Sequence, residues 1–368
     1  MDSPTPDAPS GRCVGVHKTG ERDLRALPKA HLHLHFTGSL RPATLRELAV
    51  EHGIRLPDSL RIGTPPELRA TDERGWFRFQ KLYDIARSVV RAESDIRRLL
   101  REAAEDEAAE GSGWLEIQVD PTSYAPRLGG LTPTIELILD AAGEAAEATG
   151  VGLGVIVAAN RTRNPFDART LARLAAQYAG RGVVGFGLSN DERRGRAEDF
   201  APAFHIARRA GLVAVPHGGE LAGPNSVAAC LDDLGAQRIG HGVRATEDPA
   251  LVERVAAEGV TLEICPMSNV RLGVYDRPEH VPLIALRDAG VQVALGADDP
   301  LLFGSRLVAQ YDVARTALGF SDQALADLAR SSVRGSCAPE PVRARLLAGI
   351  DAWLATPPAP PHPSLSRS

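Results

Sequence analysis

Short apolar runs alternate along the chain with segments that carry apolar residues at helical spacing. The runs predict β-strands at Ala30–Phe36, Gly113–Asp120, Gly152–Ala158, Gly182–Leu188, Leu212–His217, Arg238–His241, Thr261–Cys265 and Gln292–Ala297. The segments between them predict helices, among them Pro42–His52, Asp95–Glu110, Thr134–Ala148, Asp167–Ala179, Ser226–Leu234 and Asp248–Glu258. This alternation predicts an α/β fold with a parallel sheet, and eight strands allow closure into a (β/α)8 barrel, the TIM barrel.

An open, doubly wound sheet is the alternative arrangement for the same alternation. Such a sheet usually carries a glycine-rich phosphate loop directly after its first strand. The segment that follows the first predicted strand here is Thr37-Gly38-Ser39-Leu40, which has no such loop. The sequence therefore favours the closed barrel.

Two regions add helices to the simple repeat of strand and helix. The segment from Pro42 to Ser112 is too long for one crossover helix and predicts a helical insertion after the first strand. Its aromatic and apolar cluster predicts either core packing of the insertion or a lid over a pocket. That cluster consists of Trp76, Phe77, Phe79, Leu82 and Tyr83. Helices after the last strand are expected at Phe303–Leu318, Asp322–Ser332 and Pro341–Leu354.

The ends of the chain differ in composition from the rest. We expect one catalytic domain over residues 23–354, a disordered arm at residues 1–22, and a Pro- and Ser-rich tail at residues 355–368. The first 20 residues contain no apolar run of the kind found in a signal peptide. The 4 cysteines include no Cys-x-x-Cys pair. A protein of the reducing cytoplasm is therefore expected.

Composition and charge narrow the possible partners. Hydrophobic residues make up 43% of the 368 positions and charged residues 24%, which is typical of a globular protein with a substantial core. The net charge of −5 leaves no basic excess to neutralise phosphates. We therefore expect a small-molecule partner, and neither a nucleic acid nor a membrane.

The first predicted strand carries histidines at alternate positions. His33 and His35 point to the same face, because the side chains of residues i and i+2 share one face of a strand. Two converging imidazoles make half of a zinc site, although two hydrogen-bonded structural histidines would give the same pattern. His31 shares that face, and we expect it to pack or to support the site rather than to bind metal.

Three further polar segments come at the ends of predicted strands. Val215-Pro216-His217-Gly218-Gly219-Glu220 ends the fifth strand, Ile239-Gly240-His241-Gly242 ends the sixth, and Gly296-Ala297-Asp298-Asp299-Pro300 ends the eighth. The active site of a TIM barrel lies at the C-terminal ends of its strands, where residues far apart in sequence meet. These positions therefore predict one site that contains all of the segments.

Together these segments resemble the adenosine deaminase family of the metal-dependent amidohydrolases. The resemblance runs from about Leu27 to Asp351 and also includes Glu263-Ile264-Cys265-Pro266 and Ser268-Asn269. It implies that one zinc ion per chain is bound by His33, His35, His217 and Asp298. It also implies that the reacting base is surrounded by Glu220, His241 and Asp299. Further substrate-binding residues expected from the same motifs are Thr37, Gly38, Asn190 and Gly219.

Hydrolytic deamination of an adenine ring requires groups of these kinds. A metal lowers the pKa of water toward about 7, so that a nucleophile for ring atom C6 exists at neutral pH. A protonated Glu220 can supply the proton at N1, and His241 can orient the water or take its proton. Asp299 can hydrogen-bond at N7 and hold the ring in register. The expected enzyme is a hydrolase that removes the 6-amino group of an adenine nucleoside and releases ammonia.

Two departures from the family's pattern concern the sugar side of the substrate. The family's acidic residue that reaches the ribose 5′-hydroxyl is replaced by Thr37. Its Asp-Leu-Ala-Gly-Asp-Glu motif appears as Gly187-Leu188-Ser189-Asn190-Asp191-Glu192. A threonine would leave room for a bulky or apolar 5′ group, so the candidate substrates are adenosine, a 5′-modified adenosine such as 6-aminodeoxyfutalosine of menaquinone synthesis, and free adenine. A noncatalytic nucleoside-binding protein is the alternative from another functional class.

Two other features of the sequence predict no chemistry. The charge run formed by Glu192, Arg193, Arg194 and Arg196 is typical of a solvated face. Cys265 precedes a proline after a strand, which predicts a small buried residue rather than a nucleophile.

Overall fold

The computed structural model describes residues 21–62, 68–69 and 72–357. Within these ranges, parallel strands form one eight-stranded sheet in sequence order. The strands are β1 (Lys29–His35), β2 (Ser112–Val119), β3 (Gly152–Asn160), β4 (Val183–Ser189), β5 (Val213–Gly218), β6 (Arg238–His241), β7 (Thr261–Ile264) and β8 (Gln292–Leu295). Every strand lies within two residues of its predicted bounds. The predicted arm at residues 1–22 and tail at residues 355–368 lie for the most part outside the described residues.

The sheet closes through the segment that follows β8. The backbone N–H of His35 donates to the Asp298 carbonyl at 3.0 Å, and the Asp298 N–H donates to the His33 carbonyl at 3.0 Å. These two bonds join the end of β8 to β1 around Leu34. The predicted TIM barrel is confirmed.

Helices follow the strands around the barrel. In the described ranges they are α1 (Pro42–Glu51), α2 (Asp58–Arg61), α3 (Glu73–Ser88), α4 (Glu93–Ala109), α5 (Leu131–Thr149), α6 (Pro165–Gln177), α7 (Ala197–Arg209), α8 (Pro224–Asp232), α9 (Pro249–Ala257), α10 (Pro266–Arg271), α11 (Leu283–Asp288), α12 (Pro300–Phe303), α13 (Leu307–Thr316), α14 (Asp322–Gly335) and α15 (Glu340–Ala355). None of these helices is both long and apolar enough to cross a membrane. The apolar strand residues form a continuous core with the inner faces of the helices.

The insertion after β1 consists of helices α1 to α4, as predicted. The aromatic residues predicted to cluster in this insertion lie on two sides of α3, one facing the cleft and one exposed. Trp76, Phe79 and Tyr83 line the cleft above the barrel, and the ring of Phe79 stacks on that of Phe303 at 5.8 Å between centroids. The sequence predicted that Phe77 belongs to this cluster, but Phe77 is 71% exposed and lies apart from the other members. The reason is that neighbouring residues of a helix are turned about 100° from each other, so Phe77 lies on the outer side.

Candidate active site

Four histidine rings meet at the C-terminal end of the barrel. The ring centroid of His33 lies 5.3 Å from that of His35, 4.8 Å from that of His217 and 4.8 Å from that of His241. Candidate ligand atoms of His33, His35 and His217 all lie within 4.8 Å of one another. The strand ends of β1, β5 and β6 therefore bring together histidines that are up to 208 positions apart in the sequence.

Asp298 completes this cluster through its backbone position. Because its backbone bonds to β1 on both sides of Leu34, its carboxylate lies beside both β1 imidazoles. Its Oδ1 is 3.2 Å from His35 Nε2 and 3.7 Å from His33 Nε2, and its Oδ2 accepts a hydrogen bond from Ser268 Oγ at 2.5 Å. The φ of Asp298 is +62°, a left-handed conformation that costs energy in a residue other than glycine.

The His33 imidazole is oriented by a chain of buried charges. Its Nδ1 donates to Glu263 Oε2 at 2.8 Å. The other Glu263 oxygen lies 2.8 Å from Nε of Arg238, which also pairs with Glu116 at 2.6 Å. With Nδ1 protonated, Nε2 carries the free lone pair, and this buried atom has no hydrogen-bond partner among the described residues. A carboxylate behind an imidazole is the usual support of a metal-binding histidine.

The pKa shifts of His217 and Asp298 suit metal binding. Burial, and next the neighbouring histidines, lower the pKa of His217 well below its usual value, so its imidazole is neutral. Burial opposes ionisation of Asp298, but its hydrogen bond with His35 and the other histidines lower the pKa of this carboxyl overall. Metal ligands must be neutral imidazoles and ionised carboxylates. Burial lowers the pKa of His35, but the charge of Asp299 and the hydrogen bond with Asp298 raise it overall, so a metal ion would displace a proton from this imidazole. As donors, His33, His35, His217 and Asp298 fit a divalent metal ion.

His31 is turned away from this cluster. Its Nδ1 lies 2.7 Å from Glu107 Oε1, and its Nε2 accepts a hydrogen bond from the backbone N–H of Ala297 at 3.0 Å. Since Ala297 precedes Asp298, this hydrogen bond fixes the backbone next to the residue that carries the carboxylate. This placement agrees with the expectation that His31 supports the site.

Glu220 and His241 lie next to the cluster. Glu220 Oε2 is 3.6 Å from His241 Nε2, and Glu220 Oε1 has no hydrogen-bond partner in the described part of the chain. Burial, followed by the charges of Asp298 and Glu192, raises the pKa of Glu220 well above its usual value. Burial lowers the pKa of His241 to about 3. These directions favour a protonated carboxyl beside a neutral imidazole.

Asp299 is the second buried carboxyl that holds a proton. Burial and the adjacent charge of Asp298 raise its pKa to about 8. Gly38 packs against it so closely that a Cβ on Gly38 would lie 1.8 Å from Asp299 Oδ1. A protonated Asp299 can donate a hydrogen bond, which is what an acceptor atom such as purine N7 requires.

Comparisons with known proteins give the family. Residues 28–353 match the family model described as adenosine deaminase. The chain belongs to the adenosine deaminase family. A Streptomyces virginiae protein provisionally named adenosine/adenine deaminase is 68% identical over 333 residues, which cover 90% of this chain and 98% of that protein. An adenine deaminase of Rhizobium leguminosarum bv. trifolii is 36% identical over 325 residues, covering 88% of this chain and 99% of that protein.

A solved structure agrees with this placement. The crystal structure of adenine deaminase from Arthrobacter aurescens superposes with a TM-score of 0.81 at 32% identity, covering 89% of this chain and 99% of that one. As a member of the adenosine deaminase family, the chain is a metal-dependent hydrolytic deaminase.

The cleft of this deaminase has an empty volume of about 670 Å³, including the part open to solvent. Its lining includes His35, His217, Glu220, His241, Asp298, Asp299 and the aromatic residues Trp76, Phe79 and Tyr83. The other lining residues are Gln80, Arg87, Gln118, Asp120, Ala158, Asn160, Ser189, Asn190 and Leu272. Asn190 is in a left-handed conformation with φ of +84°, and its side-chain amide donates to Gln80 of α3 at 3.2 Å. The strand ends and the helical insertion therefore form the cleft together.

Three predicted substrate-binding residues do not reach the wall of this cleft. Thr37 is buried, and its hydroxyl lies 2.7 Å from Tyr124 Oη. Gly38 provides space for Asp299, and a Cβ on Gly219 would lie 2.4 Å from a methyl carbon of Val227. The hydroxyl of Thr37 therefore turns to a tyrosine 87 residues further along the chain, and its place beside the 5′ carbon of the sugar stays a prediction.

Glu192 was predicted to lie on a solvated face, and the structure contradicts this. Its Oε2 accepts hydrogen bonds from the backbone N–H groups of Glu220, Leu221 and Ala222 at 2.8, 2.6 and 2.9 Å. Its Oε1 accepts from Ser226 Oγ at 2.8 Å. A glutamate with four donors is satisfied without water, so it is buried although its neighbours Arg194 and Arg196 are exposed. The sequence signal that could have predicted this burial was the family motif that ends at Glu192.

Proposed function

We propose that this chain is a zinc-dependent deaminase that hydrolyses the 6-amino group of an adenine nucleoside and releases ammonia. The observation that carries the proposal is the cluster of His33, His35, His217 and Asp298 beside Glu220, whose Oε1 has no hydrogen-bond partner among the described residues. A metal site and a protonated acid at one place are what water attack on a purine C6 requires.

Zinc is proposed from the chemistry of the donors. Three imidazoles and one carboxylate are ligands that zinc prefers, whereas magnesium and calcium favour sites built from oxygen alone. When bound, the ion would lower the pKa of a water ligand toward about 7 and so supply the nucleophile. Each possible ligand group among the described residues contains at least one of His33, His35, His217 and Asp298, so the groups overlap at one place, which supports one ion per chain.

The remaining residues would handle protons and hold the purine. Glu220, buried and protonated, would donate to N1 as negative charge develops on the ring. His241, held neutral by burial, would orient the attacking water and accept its proton. Asp299 would donate to N7 from the opposite edge and fix the ring in register.

The extent of the cleft supports a nucleoside over the free base. Glu220, His241 and Asp299 account for the contacts that a purine ring needs. The lining also includes the polar side chains of Asn160 and Asn190, which can hydrogen-bond sugar hydroxyls. Free adenine is the second candidate, because the Rhizobium and Arthrobacter relatives carry the name adenine deaminase.

A substrate comparison tests this choice. We expect kcat/KM for adenosine or 6-aminodeoxyfutalosine to exceed that for adenine by about 10-fold or more, since two or three sugar hydrogen bonds contribute about 0.5–1.5 kcal/mol each. The measurement is the initial rate of ammonia release with equal enzyme and metal content. A preparation of the Glu220→Gln variant controls for contaminating deaminases. Adenine as the best substrate would replace this proposal with the second candidate.

Glu192 is proposed to be a positioning residue for Glu220. Removing its carboxylate in Glu192→Ala leaves three backbone N–H groups without an acceptor, so the segment that carries Glu220 should shift. We expect kcat to fall by about 10- to 100-fold with KM changed less, because each buried unpaired donor costs about 1–3 kcal/mol. Glu192→Gln keeps an acceptor oxygen and should recover most of kcat.

The control for Glu192 is Glu198→Ala, which removes an exposed glutamate from α7. Bound metal and the melting temperature are measured in all variants. A Glu192→Ala protein with unchanged kcat, or one whose loss of activity follows loss of metal, would show that Glu192 does not act through Glu220.

A further inference from the structure

Arg87 lies near the C-terminal end of α3, the helix that covers the cleft. Its side chain is 19% exposed and lines the cleft together with His35 and Asp299. Among the described residues of that lining, Arg87 is the only lysine or arginine. No second lysine or arginine side chain therefore adds positive charge to the described part of this wall.

The guanidinium of Arg87 has a single close ion pair among the described residues. The one carboxylate within 4 Å of it in the described ranges is that of Asp84, at 3.4 Å, and Asp84 is itself 57% exposed. Asp120 also lines the cleft, but one of its oxygens accepts from both the N–H and the hydroxyl of Thr122. A guanidinium has five N–H donors, and one contact of 3.4 Å leaves most of them available.

Arg87 is linked through Tyr83 to Thr37, the buried position at which the sequence departs from the family's sugar-side motif. Its guanidinium carbon is 4.9 Å from the ring centroid of Tyr83. The hydroxyl of Thr37 hydrogen-bonds with Tyr124 at 2.7 Å, and burial raises the pKa of Tyr83 overall, although Thr37 lowers it. The cleft therefore presents aromatic rings and a cation at this place, where the sequence alone predicted room for an apolar group.

We propose that Arg87 binds an anionic group, a carboxylate or a phosphate, carried on the 5′ side of the adenine nucleoside. This inference rests on the proposed nucleoside deamination and names the class of substrate for that site. A planar guanidinium with free donors pairs with either anion through two parallel hydrogen bonds. Stacking on Tyr83 holds the guanidinium in place, so less conformational entropy is lost when the anion binds.

The experiment compares acids with their neutral amides. The probes are adenosine-5′-carboxylic acid and its amide, 5′-S-(3-carboxypropyl)-5′-thioadenosine and its amide, and adenosine 5′-monophosphate against adenosine. The two carboxylates differ in reach, and the monophosphate separates phosphate from carboxylate recognition. We expect at least one anion to exceed its neutral partner in kcat/KM by about 10- to 100-fold, mainly through KM, as charged hydrogen bonds imply.

Variants of Arg87 assign the effect to this side chain. Arg87→Met should bring the ratio of anion to neutral partner close to one, and Arg87→Lys should keep part of it, because a lysine retains the charge without the two parallel donors. Lys81→Met removes the same charge from the exposed surface of α3 and should keep the full ratio. A ratio below about threefold in the unmodified protein, or a ratio that survives Arg87→Met, overturns the proposal, since RT ln 3 is smaller than one charged hydrogen bond.

A binding measurement separates this inference from the proposed function. Calorimetry on the Glu220→Gln protein gives the affinity of each acid and amide without turnover. Tight binding of an anion that requires Arg87, with no deamination of any nucleoside, would reject nucleoside deamination and keep the anion site. Deamination of adenosine with equal affinity for acid and amide would keep nucleoside deamination and reject the anion site.

Discussion

Glu220→Gln is expected to lower kcat by about 10²–10⁴-fold while metal content and fold stay unchanged, because this is the usual effect of removing one positioned proton donor. The glutamine has almost the same shape as the glutamic acid and cannot release a proton to N1. Glu220 contacts His241 but is not among the proposed ligands, so the metal should remain. Ammonia release, elemental analysis and circular dichroism are measured on the same preparation.

The pH profile gives this prediction a second readout. Burial raises the pKa of Glu220, which extends the protonated acid to higher pH, and this form is lost as the pH rises through that pKa. The unmodified enzyme should therefore lose activity on the alkaline side, and the residual activity of Glu220→Gln should lack this decline. A variant with near-normal turnover would mean that another group protonates N1.

Replacing His217 with alanine should remove the metal and lower kcat/KM by about 10³-fold or more, because a bound metal contributes several kcal/mol to the transition state. His217 ends β5 and lies in the centre of the histidine cluster. Its loss leaves two imidazoles and a carboxylate, which is one ligand fewer than a stable tetrahedral zinc site uses. The measurements are zinc per chain and the initial rate of ammonia release.

His205→Ala is the matched control, since His205 is exposed on α7 and should keep both metal and rate. Melting temperatures show whether either variant is unfolded. Full zinc and full activity in the folded His217→Ala protein would contradict the proposed ligand set.

The sequence by itself determined the barrel and the position of its chemistry. Eight apolar runs predicted eight strands, because a strand buried on both faces must be apolar throughout. The ends of parallel strands in a closed barrel lie on one rim, so His33, His217 and Asp298 had to meet once the strands were recognised. The local pattern of apolar and polar residues was sufficient for these conclusions, since each depends only on which residues lie at the end of which strand.

Only the tertiary structure decided the partners of individual side chains. A charge run predicted Glu192 to be exposed, and four donors from the segment after β5 bury it instead. Thr37 turns to Tyr124, and the donors of Arg87 remain available in the cleft because its nearest carboxylate is exposed and 3.4 Å away. Periodicity records which face of an element is buried. Hydrogen bonds and charges between elements depend on distances that the order of residues does not contain.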